Sequence, residues 1–197
     1  MNRLHPAFLL AFALLAPMPA HAESKGLRLG DPCPAFALPG TDGRTHTVEA
    51  TEPLLLVVFL STECPYVKAT QGRINAYAKH YAGKVRVLGI NANDVDAHAK
   101  ESLADMKAQA LGQGYVFAYL KDEPQGVTRT FGAVCTPDFF LFDVQRKLAY
   151  RGRMDDNWGD AAKVKARDLE VATEALLAGR PPSRDQVPSR GCSIKWK

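Results

Sequence analysis

The sequence has little of what marks most specialised classes. Four cysteines among 197 residues are too few for a disulfide scaffold, so the hydrophobic core must carry stability and the thiols are free for chemistry. The excess of base over acid is slight, 25 Lys+Arg against 21 Asp+Glu for a net charge of +4, and it is evenly spread. That excludes a strongly basic footprint for nucleic acid or an anionic membrane. No apolar run reaches the ~20 residues that a membrane-spanning helix needs. There is no internal repeat and no interdomain linker, and Gly112-Gln113-Gly114 reads as a helix stop and turn rather than a phosphate loop. His46, His80 and His98 are scattered without metal-ligand spacing, and neither 91–96 nor Asp155-Asp156 has the spacing of a calcium loop. No metal or cofactor site is expected.

What is present is ordinary globular composition, 46% hydrophobic and 23% charged, in a chain of single-domain length. Residues 1–22 differ from the rest. A basic start at Arg3 leads into an apolar run from Ala7 to Ala16, two prolines, and the small-x-small pattern Ala20-His21-Ala22. This reads as an export signal cleaved before Glu23, leaving a domain over 23–179 and a tail over 180–197 rich in Pro, Ser and Arg. In an oxidising compartment such as a bacterial periplasm, Cys33, Cys64, Cys135 and Cys192 have three complete pairings open to them.

Along the domain, 36–48 reads as a hairpin turning at Asp42-Gly43. The unbroken apolar run 54–60 predicts a central strand buried on both faces. Residues 65–81 predict a helix with Val67, Ile74, Ala78 and Tyr81 on one side. A second buried strand follows at 85–90. A helix over 96–111 is expected to turn Leu103, Met106 and Ala110 inward. Then come a strand at 115–120, a short helix at 124–131 closed by Gly132, strands at 139–142 and 148–151, and a last helix over 164–177 with Leu169, Ala172 and Leu176 on one face. Alternating β and α predict an α/β fold, a central mixed sheet flanked by helices.

Cys64 stands between a buried strand and Pro65, and proline suits the first helical position. A thiol there meets unpaired amides and the positive end of the helix dipole, which favour the thiolate, the species that attacks disulfides and peroxides. The alternative is a small buried hydrophobe. The second feature is Cys135-Thr136-Pro137-Asp138 just before a strand, where proline cannot donate to a ladder; a cis bond in a tight bend is one reason for it.

Together these segments resemble the thioredoxin-like redoxins, the alkyl hydroperoxide reductase/thiol-specific antioxidant group. The leader Gly30-Asp31-Pro32-Cys33-Pro34, Cys64-Pro65-Tyr66-Val67-Lys68, Gly89-Ile90-Asn91-Ala92-Asn93-Asp94, 135–143, Tyr150-Arg151-Gly152-Arg153-Met154-Asp155-Asp156 and Gly191-Cys192-Ser193-Ile194-Lys195-Trp196-Lys197 carry the likeness. It implies a thioredoxin-like fold with an N-terminal hairpin, Cys64 as nucleophile, and Pro137 as a cis-proline opposite it, with Thr136 beside it in the substrate groove. The chain departs from the pattern in two places. Val67 stands where thioredoxins carry a second cysteine, and Val57 replaces the proline of the peroxiredoxin motif while Ser61 keeps its hydroxyl.

A resolving thiol must then come from elsewhere. The resemblance favours Cys135, near the cis-proline, over Cys192 on a tail that reads as mobile; Cys192 alternatively pairs with Cys33, itself structural or inert. Lys68, Arg129 and Arg151 are candidate cations for Cys64. Trp158 and Trp196 read equally as packing or recognition. The implied activity is that of an exported thiol oxidoreductase reducing peroxide or disulfide, itself re-reduced by a thioredoxin-like protein. A non-catalytic module that binds a partner protein or metal near Cys64 and Pro137 is the alternative.

Overall fold

A computed structural model describes residues 26–48 and 53–197; the expected export signal lies outside the described residues. In chain order the elements are β1 (Ala37–Pro39), β2 (Thr45–Thr47), β3 (Leu54–Phe59), α1 (Pro65–His80), β4 (Val85–Asn91), α2 (Leu103–Gly112) and β5 (Ala118–Lys121). There follow α3 (Gly126–Phe131), β6 (Cys135–Thr136), β7 (Asp138–Phe142), β8 (Leu148–Gly152), a single 3-10 turn (Ala161–Lys163), α4 (Asp168–Leu177) and β9 (Cys192–Ser193). The main sheet has the order β5-β4-β3-β7-β8, with β3, β4 and β5 parallel and β7 and β8 antiparallel to their neighbours. This is the mixed, thioredoxin-like α/β architecture that the sequence predicts.

All six residues of β3 are buried, as its unbroken apolar run requires of a strand covered on both faces. Successive side chains of a strand point to opposite faces. Leu54, Leu56 and Val58 accordingly join one core with Val67, Ile74 and Tyr77 of α1, and Leu169 and Ala172 of α4. Leu55, Val57 and Phe59 join the other, where Phe131 of α3 sits edge-on to Phe36, Phe59, Phe140 and Phe142. Each fully buried side chain of this size contributes ~1.5–3 kcal/mol.

Besides shifts of two or three residues at the starts of β5 and α3, three features differ from the sequence expectation. Helix α2 begins at Leu103 instead of residue 96, because Ser102 and Asp105 form a reciprocal capping box: each side chain accepts the other's backbone N–H, both at 3.2 Å. Leu103, expected to face inward, is therefore 40% exposed in the first turn, while Met106 alone among the helix residues is fully buried. Helix α4 starts at Asp168, after the 3-10 turn. The tail is the third difference. It forms β9, an antiparallel partner of β6, and buries Ile194 to 4% exposure in the second core.

Candidate active site

The chain reverses direction between β3 and α1 through Ser61, Thr62 and Glu63, all held by one buried carboxylate. Glu101 is 1% exposed; it accepts hydrogen bonds from Ser61 Oγ at 2.5 Å, the Thr62 amide at 3.1 Å, Asn91 Nδ2 at 2.5 Å and Asn93 Nδ2 at 3.0 Å. Burial raises a carboxyl pKa, but these donors outweigh it and hold Glu101 below the ordinary carboxylate range. Ser61 Oγ in turn accepts the Cys64 amide at 3.1 Å, so the first residue of the helix approach is fixed through two bonds to a buried charge. Lys121 supports the opposite side, donating from its buried Nζ to the carbonyls of Asn93 at 2.6 Å and Glu101 at 2.9 Å.

Cys64 is the N-cap residue of α1, with Pro65 in the first turn, and is 2% exposed. Its Sγ lies 2.7 Å from Cys192 Sγ and 3.0 Å from the Thr136 carbonyl oxygen. Burial alone raises its pKa, yet the balance is downward. The Cys192 thiol, the Thr136 side chain and the amides of Val67 and Cys192 all favour the thiolate. Cys192 moves the opposite way, to about 11, through burial and the thiolate-accepted bond to Cys64. Of the two facing thiols, Cys64 is the one whose thiolate is favoured.

The register of the β6–β9 ribbon explains which thiol faces Cys64. Thr136 is opposite Cys192 and Cys135 opposite Ser193. Opposed residues share a face and neighbours alternate, so Cys135 and Cys192 point to opposite sides. Burial pushes Cys135 up to about 12, helped by the nearby Asp138 carboxylate, and its Sγ lies against the Pro137 carbonyl at 3.7 Å. The sequence favours Cys135 over Cys192 as the thiol that resolves Cys64, but by this alternation it is Cys192 that faces Cys64 in the structure. The expected Cys33–Cys192 contact is not formed either. Cys33 packs against the second core with its sulfur on the Pro34 carbonyl, and burial raises it to about 12.

The Thr136–Pro137 bond is cis, as the sequence implies. Beside Pro137 is a cleft of about 200 Å³ lined by Thr70, Pro137, Phe139, Met154, Trp158 and Val187. The candidate cations are occupied elsewhere. Lys68 pairs with Glu63 at 3.4 Å in solvent, Arg151 with Asp138 at 3.6 Å, and Arg129 stacks on Trp196 at 4.4 Å. Trp158 packs on Tyr66 with ring centroids 4.1 Å apart. His46 bonds Asp42 at 3.1 Å in the hairpin turn. Among the described residues no group of three or more His, Cys, Asp or Glu is arranged to hold a metal ion.

Sequence reasoning did not single out Glu101, Asn93, Lys121 or Gln125. The capping box starting at Ser102 is the one signal that could have placed Glu101 outside the helix. Nothing local marked it as the hub of the nucleophile loop.

Residues 29–151 match the AhpC/TSA family model. A hypothetical protein from Sinorhizobium meliloti 1021 is 40% identical with a TM-score of 0.82, the match covering 87% of this chain and 96% of that one. An uncharacterised conserved protein from Geobacillus kaustophilus is 38% identical, also at TM-score 0.82, over 92% and 98%. A thiol-disulfide oxidoreductase from Bacteroides fragilis NCTC 9343 shares the fold at 18% identity and TM-score 0.51, over 61% of this chain and 89% of that one. No curated protein matches the chain. With the family model matched over more than half of the chain's length, from the hairpin through the Cys64 loop to β8, the chain belongs to the AhpC/TSA family.

Proposed function

We propose that this chain is an exported thiol oxidoreductase that reduces peroxide or disulfide substrates with Cys64 as nucleophile and Cys192 as resolving thiol. The observation that carries the reading is the 2.7 Å approach of a thiolate-favouring, helix-capping sulfur to a second thiol. With a peroxide, the Cys64 thiolate attacks one oxygen, the O–O bond breaks, and the leaving alkoxide or hydroxide takes a proton; Cys64 becomes a sulfenic acid. Cys192 then attacks that sulfur, the S–O bond breaks, and water leaves as the disulfide forms. With a disulfide substrate, the first step is thiol exchange and the second releases the reduced substrate. In either case an external dithiol, a thioredoxin-like protein by its chemistry, returns two electrons and two protons. Export rests on the leader 1–22, and the proposed site of action is the periplasm.

Peptide-mapped mass spectrometry after one equivalent of peroxide tests the reading. The expected result is a Cys64–Cys192 bridge with peroxide consumed, absent from Cys64→Ser. A Cys64 that remains a thiol would sink the enzyme reading and leave the redoxin fold as a binding module. A Cys64–Cys135 bridge would reassign the resolver.

A further inference from the structure

The segment 191–197 is held as proteins hold a peptide ligand. On one side it extends the short strand β6: Thr136 pairs with Cys192, Cys135 with Ser193, and the Ile194 amide donates to the Val134 carbonyl at 3.3 Å. On the other side its main chain meets the loop after β4. The Lys195 amide donates to Asn93 Oδ1 at 2.9 Å, and the Lys195 carbonyl accepts the Asp94 amide at 2.9 Å and Gln125 Nε2 at 2.8 Å. The Lys197 amide donates to Gln125 Oε1 at 2.9 Å. Main-chain bonds of this kind recognise any extended segment.

Side chains are selected at three positions. At Gly191 a Cβ would stand 2.0 Å from the Thr136 carbonyl oxygen and 2.5 Å from its carbon, both rigid backbone, so glycine alone fits. Cys192 meets the nucleophile. Ile194 fills an apolar slot at 4% exposure. Ser193 is exposed and can vary.

We infer that the β6 edge, the Asn93-Asp94 loop and Gln125 form a strand-addition site for an extended Gly-Cys-x-aliphatic segment, which the tail fills in cis and a disulfide-bearing partner protein of that pattern fills in trans. The inference rests on Cys64 being the nucleophile. With the tail seated, Cys64 is 2% exposed and a macromolecular disulfide has no approach. Displacing the tail opens the same ladder, the same glycine slot and the same sulfur to the partner. A tethered segment competes at an effective concentration of order millimolar, so an untethered peptide at ~10 μM is held off by roughly a hundred-fold.

The test uses the full chain carrying Cys192→Ser, with and without Gly191→Ala, which lifts the tail; rates are normalised to those of the small mixed disulfide below, because lifting the tail also removes the Cys192 amide from Cys64. The probe is the peptide Gly-Cys-Ser-Ile-Lys-Trp-Lys with its cysteine in a mixed disulfide to thionitrobenzoate. Cys64 gives up its proton to solvent and attacks the peptide sulfur; the Cys64–peptide bond forms and coloured thionitrobenzoate leaves with the electron pair. Release is expected to be about ten- to a hundred-fold faster with Gly191→Ala. The gain should be lost when the peptide's glycine is changed to alanine. Ile194→Asp in place of Gly191→Ala, lifting the tail by a different contact, should give the same gain. Equal rates with the tail seated and lifted, or equal rates for the glycine and alanine peptides, would overturn the inference. A mixed disulfide of 2-mercaptoethanol with thionitrobenzoate runs in parallel, with Cys64 mapped by mass spectrometry. If Cys64 ignores this small probe, the nucleophile reading falls and the inference with it; if Cys64 takes it but the peptide is indifferent to the tail, the inference alone falls.

Discussion

The loop 60–64 and the tail 191–197 bring two sulfurs to 2.7 Å, but they are fastened by different means. The loop is tied by side chains to a buried ionised carboxylate, Glu101, whose partners are themselves buried. The tail is tied mainly through its own main chain, with one apolar anchor, Ile194, and an Arg129–Trp196 stack near the surface. A hydrogen bond to a buried charge is the more expensive to break, because the charge is left without partners, whereas the tail's bonds join neutral groups. Cys64, the proposed nucleophile, therefore sits on the arm tied to a buried charge, and Cys192, the proposed resolving thiol, on the arm tied through its main chain. Asn93 joins them, donating to Glu101 on one side and accepting the Lys195 amide on the other.

The largest expected effect is on the chemistry itself. Cys64→Ser should lower peroxide- or disulfide-driven oxidation of the protein by at least about 10³-fold, read by loss of the Cys64–Cys192 bridge in a mass map. In the wild-type chain the pH profile of that reaction should rise through a pKa below the ordinary thiol value and level off above it, because Cys64 is shifted downward.

Next comes the arm tied to the buried charge. Glu101→Gln replaces an acceptor-only carboxylate by an amide with one acceptor oxygen, and is expected to cost about 2–4 kcal/mol in urea unfolding. Because the folded pKa of Glu101 lies below its unfolded value, its contribution is present above the ordinary carboxylate range and is lost as pH falls through the folded pKa. The stability gap between wild type and Glu101→Gln should therefore close in acid; a gap independent of pH would mean that Glu101 acts by shape alone.

The arm tied through its main chain should respond locally. Ile194→Ala is expected to slow Cys64–Cys192 bridge formation about ten-fold, as a lost core side chain of this type weakens its segment by ~2–5 kcal/mol. Hydrogen exchange should rise over 191–197 and stay unchanged in β3 and α1. If exchange rises equally in β3, the contrast between the arms is false.

The smallest effects belong to the thiol and cation that lie outside the pair. Cys135→Ser and Lys68→Gln should each leave the rate of bridge formation within about two-fold. Cys135 faces away across the ribbon, and the solvent-exposed Lys68–Glu63 pair is of a kind worth ~0–1 kcal/mol.

Much of this molecule was legible in its residues. The apolar run of β3, the spacing of Val67, Ile74, Ala78 and Tyr81, and the Pro65 that opens α1 are local patterns, and each produced the element they predict. The cis Thr136–Pro137 bond was legible through the resemblance. The start of α2 was written in Ser102 and Asp105 but outweighed by the apolar spacing around it.

The sequence by itself determined the α/β alternation, through periods of two and 3.6 residues, and the family, through the resemblance of its motifs; it also singled out Cys64 at a strand–helix junction. Only the tertiary structure decided which thiol faces Cys64. Cys135 and Cys192 are equivalent as residues, and a single step of register in a two-residue ladder sets which of them turns toward Cys64. The same is true of Glu101, a charged residue that composition places at the surface. It is buried because loop 61–64, distant in the chain, and the nearer Asn91 and Asn93 amides converge on it with enough donors to replace water.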